Sequence, residues 1–241
     1  MLIKLFIISI ISFIFFISGS LLLFYNPKFA NKHIGKLISF SAGVLLGVAF
    51  FDILPQAVTM GGVKFALPLK ATLLGFTLLY LLEHFIMMHS CVEQECSYHT
   101  LGITGLIGFY FHTFTDGLIL SLGFAISEHL GMVTALAILL HKVPGGISSM
   151  SIFLAAKLSN VRAWRWSLVV SSGTVLGALV GYFIFSYLGF FMLKIMLGLS
   201  AGSFIYISAS SLLPEVHKEM NFVNILMFIL GIMIVDFAGV I

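Results

Sequence analysis

Long apolar runs dominate the chain, and short polar breaks divide them into eight segments. The segments cover roughly 2–24, 35–57, 67–88, 102–124, 130–155, 165–187, 190–213 and 221–241. Each is long enough to cross a bilayer as a helix, which takes about 20 residues. None shows the alternation of apolar and polar positions that a transmembrane β-strand needs. The pattern predicts an all-α integral membrane protein with eight transmembrane helices in a single domain, 1–241.

Composition strengthens this interpretation. Hydrophobic residues make up 60% of the chain, charged residues make up 9%, and the mean hydropathy is +1.16. These values exclude an ordinary soluble globular protein. The net charge of +3 is small and its basic residues are scattered, so no nucleic-acid partner is expected. The first segment lacks a clear small-residue cleavage site, which favours a helix over a signal peptide.

Lysine and arginine residues are distributed unevenly between the breaks. The breaks between segments 1 and 2, 3 and 4, 5 and 6, and 7 and 8 lie on one side of the membrane. They hold seven of these residues: Lys28, Lys32, Lys36, Lys157, Arg162, Arg165 and Lys218. The opposite side holds four: Lys4, Lys64, Lys70 and Lys194. Cytoplasmic loops are enriched in basic residues. We therefore predict a protein of the plasma (inner) membrane with both termini outside.

Two matched polar interruptions lie inside the fourth and fifth segments. They run from His112 to Gly117 and from His141 to Gly146, and both have the form His-x-x-x-x-Gly. Polar side chains at such depth lose hydration worth several kcal/mol unless they find partners. Ionisable residues inside a membrane are therefore candidates for a functional site.

The residue types in these interruptions suit a transition metal. His112 and Asp116 are four residues apart, so they share one face of a helix and could bind one ion together. His141, on the next helix, could supply a third ligand. Imidazole with carboxylate suits zinc, iron or manganese better than calcium or magnesium. The alternative is a hydrogen-bonded His–Asp pair that only ties two helices together.

The chain also contains an internal repeat. Ser41-Ala42-Gly43 is followed by Leu54-Pro55, and Ser200-Ala201-Gly202 is followed by Leu213-Pro214 at the same spacing. These motifs lie on the second and seventh segments, which are predicted to run in opposite directions. An inverted 3+2+3 arrangement, with three helices on each side of a central pair, is a recurring transporter plan with binding near the midplane. Such short motifs are also common in membrane helices in general.

Together these motifs resemble those of the ZIP metal transporters. The run His112 to Leu118 is similar to the family's fourth-helix signature, His-Asn-x-x-Asp/Glu-Gly, and His141-x-x-Pro144 is similar to its fifth-helix signature, His-Glu-x-Pro. The segments ending Asp52-Ile53-Leu54-Pro55 and Leu212-Leu213-Pro214-Glu215 resemble its second and seventh helices. The resemblance implies transport of a divalent transition metal into the cytoplasm, with a site between helices 4 and 5.

By this resemblance, His112 and Asp116 match the family's primary ligands, and His141 matches a metal-contacting position of the fifth helix. Thr113 replaces the usual Asn and would be a weaker ligand. The chain departs further at helix 5. Lys142 stands where the family usually has a carboxylate, and Gly145 stands where it has the Glu or His that bridges two metals.

These departures favour a single ion. The ammonium of Lys142 could take the electrostatic place of a second metal, or it could repel the first. We expect zinc in first place, with iron or manganese as alternatives. The ion is the transported substrate, and we expect no separate cofactor.

Other polar residues are candidates for the transport pathway. Asp52 is predicted at the outer end of the second helix, where it could attract cations, or could be an ordinary helix-end carboxylate. Glu215 could act at the exit, and Asp236 lies inside the eighth segment. The break after the third segment holds His89, Cys91, Cys96 and His99, a candidate flexible acceptor or sensor of metal. A plain polar loop is the alternative.

Two other functions compete with transport. A zinc-dependent intramembrane hydrolase would need metal-bound water and a general acid or base. The chain has no His-Glu-x-x-His motif, so we predict that it is not an enzyme. A metal sensor silenced by Lys142 is the other alternative. The predicted partners are a divalent metal ion and the lipid bilayer, and the sequence leaves a homodimer open.

Overall fold

The computed structural model describes residues 2–59, 66–90, 96–184, 190–217 and 221–239, without the side chains of 86–90, 96–99, 190, 215 and 238–239. Within these ranges every regular element is helical. The α-helices are α1 (Leu2–Phe24), α2 (Pro27–Lys32), α3 (Ile34–Gly47), α4 (Leu54–Thr59), α5 (Ala66–Ser90), α6 (Cys96–Ile126), α7 (Glu128–Ala155), α8 (Asn160–Ile184), α9 (Phe190–Tyr206), α10 (Leu213–His217) and α11 (Phe222–Gly239).

Seven helical stretches in the described residues are long and apolar enough to cross a membrane. They are Leu2–Phe24, Ile34–Thr59, Ala66–Phe85, Thr100–Ile126, Glu128–Ala155, Asn160–Ile184 and Phe191–Leu212. The apolar part of α11, Phe222–Phe237, is shorter. The all-α membrane class predicted from the sequence is confirmed. The eighth span and the 3+2+3 arrangement stay predictions.

Two of the spans contain a π-helical segment at matching places. Val48–Ile53 joins α3 to α4, and Ile207–Leu212 joins α9 to α10. A Leu-Pro pair follows each segment, with prolines at 55 and 214. Proline has no N–H to donate and its ring crowds the carbonyl four residues earlier. A locally widened helix accommodates both effects.

The long helices pack most extensively within two groups. The first, here called the site bundle, contains α1, α6, α7 and α8. The second, here called the frame bundle, contains α3, α5, α9 and α11, with the π segments and short helices that continue α3 and α9. The main contacts between the bundles are α3 against α7 and α6 against α9. A site formed by α6 and α7 therefore faces the frame bundle.

Glycines bring the helices of each bundle into close contact. In the site bundle, a Cβ at Gly146 would lie 1.9 Å from the carbonyl oxygen of Phe16. The frame bundle has two such contacts at the repeated Ser-Ala-Gly motifs. A Cβ would lie 2.1 Å from the carbonyl oxygen of Phe228 at Gly43, and 2.0 Å from that of Thr72 at Gly202. Small residues allow this backbone approach in membrane helices.

Neighbouring glycines on α7 give a matched test of this packing. Gly146→Ala forces α1 and α7 apart, because its Cβ meets backbone, and we expect a loss of about 1–3 kcal/mol of stability. Gly145→Ala is the control, since its Cβ would lie 3.4 Å from the Phe16 ring, an ordinary contact. The measurement is thermal unfolding in detergent. Equal unfolding midpoints for the two variants would contradict the close packing of α1 on α7.

Candidate metal site

Three of the predicted ligands come together where α6 meets α7. His112, Asp116 and His141 offer ligand atoms that all lie within 4.8 Å of one another. Each of the three residues is only 5% exposed. The Nε2 atoms of His112 and His141 lie 3.5 Å and 3.4 Å from the same oxygen, Oδ2 of Asp116. Two imidazole nitrogens and a carboxylate in this arrangement can hold a transition-metal ion.

Lys142 completes the buried charge of the site. Its Nζ lies 2.7 Å from Oδ2 of Asp116 and 2.9 Å from the hydroxyl of Thr174 on α8. The side chain is nearly inaccessible, and its Nζ also lies 5.9 Å from the centre of the Phe16 ring. The ammonium therefore forms an ion pair inside the site and does not extend to a membrane surface.

The frame bundle supplies a neighbour to the Nδ1 atom of each histidine. Nδ1 of His112 lies 3.3 Å from the hydroxyl of Ser200, which is fully buried on α9. Nδ1 of His141 lies 3.4 Å from Oδ2 of Asp52 and 3.0 Å from the carbonyl oxygen of Ala137, one turn earlier on α7. These neighbours leave both Nε2 atoms directed at Asp116.

Asp52 therefore lies beside the predicted ligands, and its role at an entrance stays a prediction. It belongs to the π segment Val48–Ile53, and its other oxygen accepts a hydrogen bond of 2.5 Å from Gln56. In the sequence, Ser200 stands out only as part of the repeat with Ser41. That repeat gives no sign of a contact with His112.

The remaining candidates are not brought into this cluster. The hydroxyl of Thr113 donates to the carbonyl of Val170 on α8 at 2.7 Å and to that of Tyr110 at 3.1 Å. Asp236 is exposed on α11. The side chain of Glu215 lies outside the described residues. So does the loop set, which comprises Cys91 and the side chains of His89, Cys96 and His99.

The surroundings differ on the two sides of the cluster. On one side a small cavity is lined mainly by apolar side chains from both bundles, namely Phe16, Val44, Leu45, Val48, Phe109 and Phe204. The Phe204 ring packs on the His112 ring, with 4.5 Å between their centres. On the other side a groove lies between the ends of α4, α6 and α7 and includes Gln56. These six side chains, here called the apolar layer, lie on one side of the cluster, and the groove lies on the other.

Comparison with known proteins agrees with this chemistry. A family model described as "ZIP Zinc transporter" matches residues 88–238, which is more than half of the chain and includes both histidine motifs. An uncharacterized protein of Methanocaldococcus jannaschii is 30% identical over 234 residues, covering 95% of this chain and 93% of that protein.

Several of the similar proteins are named as zinc transporters. Zinc transporter ZIP13 of Pongo abelii is 27% identical, and zinc transporter YKE4 of Saccharomyces cerevisiae is 24% identical. Each alignment covers 78% of this chain, which spans 60% and 62% of the two proteins' lengths. With the family model and the buried ligand cluster, these similarities lead to one conclusion. The chain belongs to the ZIP family, whose members are metal transporters and not enzymes.

Proposed function

We propose that the protein carries a divalent transition-metal ion, zinc first and iron or manganese as alternatives, across the membrane into the cytoplasm. The observation that carries this proposal is the ligand cluster of His112, Asp116 and His141. It is buried between two helices long enough to span the membrane. A buried His–carboxylate set in that place has the chemistry of an ion pathway. The named zinc transporters among the similar proteins support zinc as the substrate.

We propose further that the site holds one ion. The Nζ of Lys142 lies 2.7 Å from Oδ2 of Asp116 and already neutralises that carboxylate. Gly145 contributes no ligand side chain to α7. A second dication next to a buried ammonium would meet Coulomb repulsion in a medium of low dielectric constant. The ligands of the single ion are then His112, Asp116 and His141, with the hydroxyl of Thr113 engaged by α8.

The path of the ion follows from the two sides of the site. The groove beside Gln56 leads towards Asp52 and the cluster, and its other walls come from the ends of α6 and α7 that are predicted outside. The apolar layer around Phe109 and Phe204 lies on the opposite side. An ion entering through the groove reaches its ligands, and this layer must open before the ion is released to the cytoplasm.

We infer that this opening is a movement of one bundle against the other within an inverted 3+2+3 arrangement of eight spans. The two Ser-Ala-Gly motifs make equivalent close contacts through Gly43 and Gly202. The two π segments begin at residues 48 and 207, the same 159 positions apart as Ser41 and Ser200. Equivalent halves that place a site at their interface are typical of transporters working by alternating access.

Uptake by proteoliposomes tests the function. The purified chain should import radioactive zinc, and His112→Ala should reduce the initial rate to the level of empty vesicles, because it removes one of three ligands. His129→Ala is the matched control, since His129 is an exposed residue at the start of α7. Zinc uptake by His112→Ala equal to that of the wild type would show that the cluster is not the transport site.

A further inference from the structure

The two histidines of the site are contacted on their two sides by different bundles. Their Nε2 atoms face Asp116, so all three groups proposed to bind the metal belong to the site bundle. Their Nδ1 atoms face Ser200 and Asp52, which belong to the frame bundle. The boundary between the bundles therefore runs between the Nδ1 atom of each histidine and its partner in the frame bundle.

Hydrogen bonds at this position control how well an imidazole binds a metal. An acceptor at Nδ1 keeps the proton there, fixes the ring orientation and leaves the Nε2 lone pair for the ion. A carboxylate acceptor also makes the ring more basic towards the metal. Losing such a partner typically lowers metal affinity by about 10- to 100-fold.

We propose that Asp52 and Ser200 are positioning residues that raise the affinity of the metal site only while the two bundles keep the present arrangement. Movement of the site bundle carries His112 away from Ser200 and His141 away from Asp52, and the ion is released from a weakened site. The inference rests on the proposed transport function and adds to it the cause of the change in affinity.

His141 has one neighbour at Nδ1 that moves with it and one that stays with the frame bundle. The carbonyl of Ala137 belongs to α7 and moves with His141, so the ring keeps its Nδ1 proton and remains a ligand. What it loses is the negative charge of Asp52, which lies 3.4 Å from Nδ1. A carboxylate behind the ring makes the imidazole a stronger metal ligand. The hydrogen bond from Gln56 orients Asp52 within the frame bundle and does not depend on the site bundle.

His112 would lose two contacts, a hydrogen-bond partner and an aromatic ring. Ser200 is the acceptor that the frame bundle places at its Nδ1, and the Phe204 ring that packs on the imidazole comes from the same helix, α9. Both contacts leave together when the bundles separate. The two histidines thus weaken in the same movement that opens the apolar layer.

The present arrangement can be fixed by a disulfide across the bundle boundary. A Cβ at Gly108 on α6 would lie 3.8 Å from Cβ of Ser203 on α9. This matches the mean Cβ separation in disulfides, about 3.8 Å. The same Cβ would approach the flexible end of Ile207, which can move aside. The double substitution Gly108→Cys with Ser203→Cys, on a Cys91→Ser, Cys96→Ser background, should therefore cross-link readily.

The test measures zinc affinity of the oxidised, cross-linked protein in detergent by competition with a fluorescent zinc chelator. Asp52→Asn should weaken binding by about 10- to 100-fold in this fixed arrangement. Ser200→Ala should also weaken it, and Ser200→Thr, which keeps the hydroxyl, should bind zinc like the parent. Unchanged affinity in cross-linked Asp52→Asn would overturn the proposal. Failure of the disulfide to form would also overturn it, because the arrangement on which it depends would not be populated.

A kinetic measurement on the uncross-linked chain separates positioning from a general structural role. Asp52→Asn should raise the KM for zinc by the same factor while kcat stays at or above that of the parent, because release occurs after Asp52 has been left behind. A lower kcat at unchanged KM would contradict the proposal. The transport function would still stand in that case, since it is judged by uptake of the parent and by His112→Ala.

Discussion

We expect Asp116→Asn to abolish zinc uptake and to destabilise the protein. Oδ2 of Asp116 is the atom shared by His112, His141 and Lys142. Asparagine keeps the shape but removes the negative charge that attracts the ion. It also leaves the ammonium of Lys142 buried without a counter-charge. Breaking a buried ion pair in this way costs about 3–5 kcal/mol.

A double variant separates the two effects of this substitution. Asp116→Asn combined with Lys142→Met removes both charges, and replacing a buried pair by groups of similar volume is often neutral for stability. We expect the unfolding temperature to recover in the double variant while zinc uptake remains absent. The measurements are thermal unfolding and proteoliposome uptake on the same preparations.

Recovery of uptake in that double variant would show that Asp116 acts only by balancing Lys142. The histidines would then have to bind the ion without a carboxylate from α6. Asp52 would be the remaining acidic group near them, 3.4 Å from His141. The three-ligand assignment would be wrong in that case.

The sequence predicted the part of the site that is local in the chain. His112 and Asp116 are one helical turn apart, so their proximity follows from helix geometry alone. Lys142 is a main departure of the sequence from the family pattern, and its place between His141 and Pro144 puts it inside a span. The sequence could not predict that Lys142 would pair with Asp116, because that contact depends on the rotation of α7 against α6.

Contacts between the bundles were the part that the sequence did not reveal. Ser200 reaches His112 because α9 packs against α6, and Asp52 reaches His141 because α3, which the π segment continues, packs against α7. A π segment shifts the facing of every residue after it, so the side of the helix on which Asp52 lies cannot be obtained from a regular helical period. Only the Leu-Pro pair at residues 54–55 indicated that the helix was interrupted there.

We expect the second large effect from Lys142→Met, which should lower the stability of the protein without zinc and raise it with zinc. Without zinc, Asp116 loses the ammonium at 2.7 Å and the protein is destabilised. With zinc, the dication takes over the role of counter-charge and no longer faces a buried ammonium. Repulsion between charges a few Å apart amounts to several kcal/mol even at an effective dielectric constant of about 20. We expect zinc to bind at least about tenfold more tightly and to raise the unfolding temperature more than in the wild type.

The same variant decides between transport and sensing. In a transporter, tighter binding lowers both the KM for zinc and kcat, because the ion leaves a stronger site more slowly. If the protein is a sensor silenced by Lys142, its wild-type chain imports no zinc. It would gain uptake with Lys142→Glu, which places a carboxylate where the family usually has one. Uptake by the wild-type chain, slowed at saturation in Lys142→Met, is the result that transport requires. In that case the ammonium weakens the site enough for the ion to leave.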